Sequence, residues 1–226
     1  MENTINNKRK FAKITGYSLL IMAVAAGFSL GFAFPQFFNQ SQLHLAQTNI
    51  TQNLPLYKQM IAGLIIVFAL DLLVSFTLYK YFKNDHKNLA IFTSLLRIIY
   101  TILFGNAIFY LSKNIVEINN DFVLENHQLF QTLWSIGLIV FGLHLLGVGL
   151  LMKLHKLIPK ALWILTIIAG FSYTIIHLIK TVFPHLTELI NTLNMVLVLP
   201  MSFGELGLAI WLIIKGGKTE KLSNNL

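Results

Sequence analysis

Four ionisable residues stand inside long apolar stretches of this sequence, where charged side chains are uncommon. They are Asp71, Arg97, His144 and Glu205, each with apolar residues on both sides. An arginine can hold a carboxylate through a bidentate fork or meet an anionic group, and a histidine and a glutamate can exchange a proton. These four residue types therefore predict a ligand or proton site.

The four residues are expected at one depth, because each lies nine or ten residues from a lysine at the same edge of its apolar run. The pairs are Asp71 with Lys80, Arg97 with Lys87, His144 with Lys153, and Glu205 with Lys215. At 1.5 Å per helical residue, each side chain lies roughly 14–15 Å from that edge. A charge facing lipid at such a depth costs at least about 2.5–3.5 kcal/mol, so all four are expected to point inward and find partners.

The pairing can be predicted from chain order. Arg97 is expected to hold Asp71, because helices joined by a short loop usually pack as neighbours. His144 is then expected to meet Glu205, which favours the protonated imidazole. Four further polar residues are expected to extend this network toward the outer face: Tyr100, Asn106, Tyr173 and His177. Six glycines are expected to allow close helix approach: Gly137, Gly142, Gly147, Gly149, Gly204 and Gly207.

Other interpretations of the same residues remain open. Asp71 and Arg97 could form an ion pair that only fixes helix register, and His144 could be a satisfied core histidine. A metal site is not expected, because His144 and His177 differ in depth by roughly 11 Å and zinc ligands must converge within about 2.2 Å of one ion. No catalytic residue is assigned and no cofactor is expected. Five other histidines are expected to be solvated in loops: His44, His86, His127, His155 and His185.

The composition favours a membrane protein over the alternative of a soluble all-helical bundle with unusually apolar helices. Of 226 residues, 55% are hydrophobic and only 12% are charged, whereas soluble domains carry about 25% charged residues. The net charge of +8 does not indicate nucleic acid binding, because the basic residues cluster at the ends of apolar runs. The expected partner is the lipid bilayer, together with a small anionic or amphipathic ligand. The oligomeric state is left open, and the chain has no cysteine.

The apolar runs predict an all-α, polytopic transmembrane bundle of six helices. A helix needs about 20 residues to cross the hydrocarbon core. A basic N-terminal segment, 1–13, precedes a single transmembrane domain, 14–214, and a polar tail, 215–226, follows it. The predicted spans are about 14–34, 60–81, 89–111, 129–152, 161–183 and 194–214. A cleaved signal peptide is the competing interpretation of the first span, but its apolar run exceeds the usual 7–15 residues.

The distribution of basic residues predicts the orientation. With the N-terminus inside, thirteen of the seventeen Lys and Arg residues lie on the inner side, three lie on the outer side, and Arg97 lies within a span. Basic residues accumulate on the cytoplasmic side. Both termini are therefore predicted to be cytoplasmic, and the protein is expected in a bacterial cytoplasmic membrane.

Several of these segments resemble a bacterial membrane-protein family known as domain of unknown function 4386. The likeness rests on Asp71, on Arg97 with its neighbours, and on three longer segments. These segments are GLHLLG at 142–147, LIPKAL at 157–162, and the residues around Glu205 on to Gly216. The resemblance covers about residues 10 to 217 and implies a six-helix membrane protein without an established activity. Where the family often has an acidic residue one turn after the arginine, this chain has Tyr100, which argues further against a metal site.

Three functions remain open from the sequence. The first is ligand binding or proton-linked transport through a buried polar cavity. The second is an intramembrane, hydrolase-like enzyme acting on a lipid or hydrophobic substrate, with Glu205 or His144 as general base. The third is an accessory protein whose polar layer only holds helices together. Binding or transport is preferred, because no nucleophile or set of metal ligands is visible.

Overall fold

A computed structural model describes residues 2–155 and 157–218 of the chain. Within these ranges every regular element is helical. The main helices are α1 (Glu2–Ala26), α2 (Phe34–Phe37), α3 (Ala46–Gln52), α4 (Leu54–Phe82), α5 (Lys87–Lys113), α6 (Asn120–Leu154), α7 (Lys160–Val182) and α8 (Thr187–Ile214). A π-helix, Gly27–Ala33, joins α1 to α2, and a 3₁₀ segment, Gln40–Leu45, precedes α3.

Six helical segments are long and apolar enough to cross a membrane. The first runs continuously through α1, the π-helix and α2 over Asn7–Phe37, and the others are α4, α5, α6, α7 and α8. Many large apolar side chains on these helices are exposed, among them Phe92, Ile102 and Phe203, each with more than half of its surface accessible. A protein surrounded by lipid can present such a surface. The prediction of an all-helical fold with six candidate membrane-spanning helices is confirmed.

Four of the long helices, α1, α4, α6 and α8, begin well before the predicted spans. The α6 helix begins at Asn120 and α8 at Thr187, whereas the predicted spans begin at about 129 and 194. The basic N-terminal segment is already helical, because α1 begins at Glu2.

The predicted polar loop between the first two spans contains α3, and α4 begins at Leu54 with Pro55 in its first turn. The Asn53 side chain accepts a hydrogen bond from the Leu56 amide and caps α4.

The six long helices form a closed ring in chain order. Each of α4 to α8 packs against its sequence neighbours, and α8 returns to pack against α1. Short connections between antiparallel helices produce such neighbour packing. The ring leaves a central space that every helix borders.

The two ends of the ring are identified by their contacts. We call one the terminal end, because Arg9 there donates hydrogen bonds to the carbonyl oxygens of Leu212 and Gly216 near the end of α8. At the opposite end, which we call the far end, Tyr57 donates to the Leu111 carbonyl and accepts from Asn114. Asn126 donates to Asn114 at 2.7 Å. These buried bonds tie α4, α5 and α6 together at the far end.

Candidate polar site inside the helix ring

The structure brings Asp71, Arg97, His144 and Glu205 together, with Arg97 at the centre. They come from α4, α5, α6 and α8 respectively. Asp71, Arg97 and His144 are each at most 1% exposed. We refer to these four residues as the polar cluster.

Arg97 and Asp71 form the expected ion pair, but through one carboxylate oxygen. Arg97 Nε donates to Asp71 Oδ1 at 2.9 Å, and Nη2 lies 2.7 Å from the same oxygen without hydrogen-bond alignment. Asp71 Oδ2 and Arg97 Nη2 are both buried without a hydrogen-bond partner. Buried polar atoms nearly always form hydrogen bonds. Asp71 Oδ2 can therefore accept, and Arg97 Nη2 can donate, a further hydrogen bond to a polar group.

His144 is held by two contacts that define its tautomer. Its Nδ1 lies 2.8 Å from the Thr93 carbonyl oxygen, which can only accept, so Nδ1 carries a proton and donates. Its Nε2 lies 3.1 Å from Arg97 Nη1, which can only donate, so Nε2 accepts. These contacts assign a neutral imidazole.

The expected contact between His144 and Glu205 is therefore wrong. In the part of the chain that the structure describes, no hydrogen bond or ion pair joins the two side chains. The reason is steric and electrostatic, because Arg97 Nη1 lies between them and donates to both, with Glu205 Oε1 at 3.2 Å. The arginine occupies the position that a protonated histidine would have filled.

Glu205 is the accessible member of the polar cluster. Its side chain is 26% exposed, compared with 1% for Arg97 and 0% for Asp71. This difference matters because a ligand or a proton arriving from outside reaches Glu205 first.

A cavity of about 350 Å³ lies against the polar cluster and is bordered by all six long helices. Its polar wall contains Asp71, Arg97, Glu205 and Ser202. The remaining lining is apolar or aromatic: Leu19, Met22, Ala23, Ala26, Leu30, Val67, Tyr100, Trp134, Leu138, Phe141, Tyr173, Met201 and Leu206. Along each helix these residues lie mainly on the far-end side of the polar cluster, so the cluster forms the floor of the cavity.

The four residues expected around the network have different positions. Tyr100 and Tyr173 line the cavity, and neither hydroxyl bonds to another described residue. His177 lies one step away, stacked on Tyr173 with ring centroids 6.4 Å apart, and its Nδ1 is 3.3 Å from Ser135 Oγ. Asn106 is not brought to the network, because its side chain is exposed and donates to the carbonyl of Ile102 on its own helix.

The glycines allow close approach mainly between α6 and α7. A Cβ atom at Gly142 would lie 2.6 Å from the Gly170 carbonyl oxygen, and one at Gly170 would lie 2.8 Å from the Gly142 carbonyl oxygen. At Gly137, by contrast, a Cβ atom would meet its nearest neighbour, in Tyr100, at an ordinary 3.5 Å. The expected role in close packing thus holds for Gly142 but not for Gly137.

Sequence reasoning missed a second ionic cluster at the terminal end. Lys8 Nζ lies 3.3 Å from both carboxylate oxygens of Asp85, and His155 Nδ1 lies 3.1 Å from Asp85 Oδ2. The expectation that His155 is solvated is therefore wrong, since it is only 7% exposed. Its place immediately after the α6 span was the available signal, because a histidine at a helix end can turn back toward the bundle.

The polar cluster does not have the geometry of a metal site. Among residues 2–155 and 157–218, no group of three or more His, Asp or Glu side chains could hold a metal ion. Within the polar cluster, both ring nitrogens of His144 are already engaged by Thr93 and Arg97. The arrangement is that of a hydrogen-bonded ion network beside a cavity.

Comparison with known proteins supports the resemblance noted from the sequence. A family model described as Domain of unknown function (DUF4386) matches residues 14–216. An uncharacterized protein of Archaeoglobus fulgidus is 28% identical over 162 residues, which cover 72% of this chain and 86% of that protein. No solved structure matches.

Proposed function

We propose that this chain, which belongs to the DUF4386 family, binds a small amphipathic ligand inside its helix ring and carries it across the membrane in a proton-linked cycle. The observation that carries the proposal is the cavity of about 350 Å³ with the polar cluster as its floor. Ligand sites are concave, mostly apolar and equipped with a few convergent polar groups.

The contacts of His144 argue against the hydrolase alternative in which this histidine is the general base. A general base needs a free nitrogen within reach of the substrate proton, and His144 uses both ring nitrogens inside the network. A purely structural layer would require no adjoining space, whereas Asp71, Arg97 and Glu205 all border the cavity. These observations support a ligand site in preference to a hydrolase with His144 as its general base and to an accessory helix-pairing protein.

The binding test uses the tryptophan in the cavity wall. Trp134 lines the cavity, and a Trp163→Phe/Trp211→Phe background leaves it as the sole tryptophan of the chain. We expect 6-bromohexanol to quench Trp134 fluorescence saturably in protein purified in non-ionic detergent, because bromine quenches by contact.

A matched pair of variants locates the site. Ala26→Phe fills part of the cavity and should weaken the saturable quenching severalfold, since Ala26 borders it. Val24→Phe lies on the same helix at a position that is 75% exposed, and it should leave the quenching unchanged. Quenching that rises linearly, or that is equal in both variants, would contradict the proposal.

We further propose that the terminal end faces the cytoplasm and that the membrane is a bacterial cytoplasmic membrane. The excess of Lys and Arg in the segments at the terminal end supports this orientation. The cavity, on the far-end side of the polar cluster, would then lie on the outer side of the cluster.

Orientation can be tested directly because the chain has no cysteine. We expect a membrane-impermeant maleimide to label Gln42→Cys in intact cells, and to label Lys87→Cys only after permeabilisation. Both positions are exposed, at opposite ends of the ring. The reverse labelling pattern would show that the protein is inserted the other way.

A further inference from the structure

We infer that the ligand of this cavity is an organic cation, an ammonium group on a short apolar body, and that it competes with a proton for Glu205. The inference rests on the proposed function and names its ligand class. It follows from the charge of the polar cluster, the engagement of Arg97, and the aromatic character of the cavity wall.

The polar cluster has a surplus of acid. Two carboxylates, Asp71 and Glu205, face a single permanent cation, Arg97. His144 adds no positive charge, because its two hydrogen bonds assign the neutral ring. An uncompensated charge inside a membrane is costly, so a cation or a proton beside Glu205 stabilises the site.

Arg97 is poorly placed to receive an anionic ligand. Its Nε and Nη2 face Asp71, and its Nη1 donates to both His144 and Glu205. The one guanidinium nitrogen without a hydrogen bond is Nη2, which is buried against Asp71, so an anionic headgroup there would bring a third negative charge beside the two carboxylates. Of the ligands expected from the sequence, the small anionic one is therefore disfavoured.

The aromatic wall provides the second recognition element. Tyr100, Trp134, Phe141 and Tyr173 all line the cavity. The Phe141 ring centroid lies 4.8 Å from that of Tyr100 and 5.3 Å from that of Tyr173, and the Tyr100 and Trp134 centroids are 6.5 Å apart. Such a continuous group of rings attracts alkylammonium ions through its π-electron faces.

One contact already shows this kind of attraction. The Arg97 guanidinium carbon lies 5.6 Å from the Phe141 ring centroid, within the range of a cation–π interaction. The apolar side chains contributed by α1, such as Leu19, Met22 and Ala26, provide the surface for the body of the ligand.

Proton competition follows from which groups face Glu205. The titratable and charged residues around the cavity are Asp71 from α4, Arg97 and Tyr100 from α5, and Tyr173 from α7, while His144 from α6 lies behind Arg97. The cavity-lining residues of α1 are all apolar. Both Asp71 and Glu205 border the cavity, but the Asp71 side chain is 0% exposed whereas that of Glu205 is 26% exposed. A proton and an ammonium ion would therefore alternate at the oxygens of Glu205.

The test compares three probes that share a six-carbon chain and differ in the charge of the head group: hexyltrimethylammonium, hexanol and hexanoate. Each is titrated as a competitor of 6-bromohexanol in the protein whose sole tryptophan is Trp134. We expect hexyltrimethylammonium to displace the bromoalcohol at a concentration at least about tenfold lower than hexanol, and hexanoate to displace it least well.

The pH dependence isolates the carboxylate, because the charge of a quaternary ammonium ion does not change with pH. Competition with one proton predicts that the apparent Kd rises as pH falls, approaching about tenfold per pH unit. Glu205→Gln should bind hexyltrimethylammonium at least about tenfold more weakly and without this pH dependence. Glu188→Gln, which changes an exposed acid on the same helix, should behave like the wild type.

The outcomes separate the two proposals. Retained quenching by 6-bromohexanol shows that Glu205→Gln is folded and that the cavity is intact. If 6-bromohexanol binds but the three probes compete equally, or if Glu205→Gln keeps the preference for the ammonium ion, the cation assignment is wrong while the ligand site stands. If 6-bromohexanol shows no saturable quenching, the proposed function itself fails.

Discussion

Arg97 organises the interior through three different acceptors. Asp71 accepts a hydrogen bond from Nε, and His144 and Glu205 both accept from Nη1. The guanidinium group is fully buried. A buried charge is tolerated only when its partners are close and well oriented. Each partner therefore has a distinct role: Asp71 neutralises the charge, His144 fixes the position of Nη1, and Glu205 remains accessible to the cavity.

Replacing Asp71 should destabilise the protein strongly. In Asp71→Asn the buried guanidinium loses its closest counter-charge, and breaking a buried ion pair by removing one partner costs about 3–5 kcal/mol. Thermal unfolding in detergent, followed by circular dichroism, measures the loss.

A double variant provides the control for this prediction. In Asp71→Leu/Arg97→Met both charges of the buried pair are gone, and apolar replacements of such a pair are often close to neutral. Glu205 also loses Arg97, but its side chain is 26% exposed and can take up a proton. The double variant should therefore be more stable than Asp71→Asn. Equal destabilisation of the two variants would indicate that side-chain shape, and not the unpaired charge, determines the stability at this position.

At the scale of the helices, small residues set how closely neighbours approach. Gly142 of α6 and Gly170 of α7 face each other across the most extensive helix contact of the ring. Association of helices in lipid depends on such packing, because lipid tails are as apolar as the side chains they contact. This close contact holds Phe141 of α6 next to Tyr173 of α7.

Substitution by alanine should change the stability differently at Gly142, which is in close contact with α7, and at Gly31, which is not in close contact with another helix. At Gly142 the new methyl group would lie 2.6 Å from backbone oxygen that cannot easily move, so we expect a loss of about 1–3 kcal/mol from overpacking. At Gly31 no heavy atom lies within 4 Å of the position that a methyl group would take, and Gly31→Ala should leave stability unchanged or raise it by about 0.5–1 kcal/mol. Unfolding temperatures of the two variants, measured side by side, test the difference, and an equal loss in both would contradict it.

At the scale of the whole molecule, ionic contacts at the terminal end of the ring join distant parts of the chain. Asp85 lies in the connection between α4 and α5, and its carboxylate contacts Lys8 of α1 and His155, which directly follows α6. Partial burial alone would raise the pKa of Asp85. The hydrogen bond from His155 and the charge of Lys8 outweigh that effect, so the pKa lies below its ordinary value of 3.8.

The pH dependence of stability follows from the sign of this shift. A carboxyl group with a lowered pKa in the folded state stabilises the protein fully above its ordinary pKa, and the contribution is lost as pH falls through the folded-state value. Asp85→Asn should therefore lower the unfolding temperature at neutral pH, and the gap from the wild type should close below about pH 4. Glu117→Gln, at an exposed acid near the far end, should show no such gap. A gap that persists unchanged in acid would contradict the role given to the Asp85 charge.

The sequence by itself determined the six spans and the common depth of Asp71, Arg97, His144 and Glu205. Both are local properties, because hydropathy is a sum over neighbouring residues and depth follows from the fixed helical rise. The pair Arg97–Asp71 was also predictable, since α4 and α5 are joined by a short connection.

Only the tertiary structure decided which atoms meet. The rotation of α5 about its axis turned Asn106 outward to the exposed surface. The extended backbone of His155, directly after the end of α6, allows its side chain to reach Asp85. The closure of the ring by α8 on α1 placed Arg97 between His144 and Glu205 and left a cavity beside them. Side-chain direction and helix order depend on packing summed over the whole bundle, and depth along a single helix does not specify either of them.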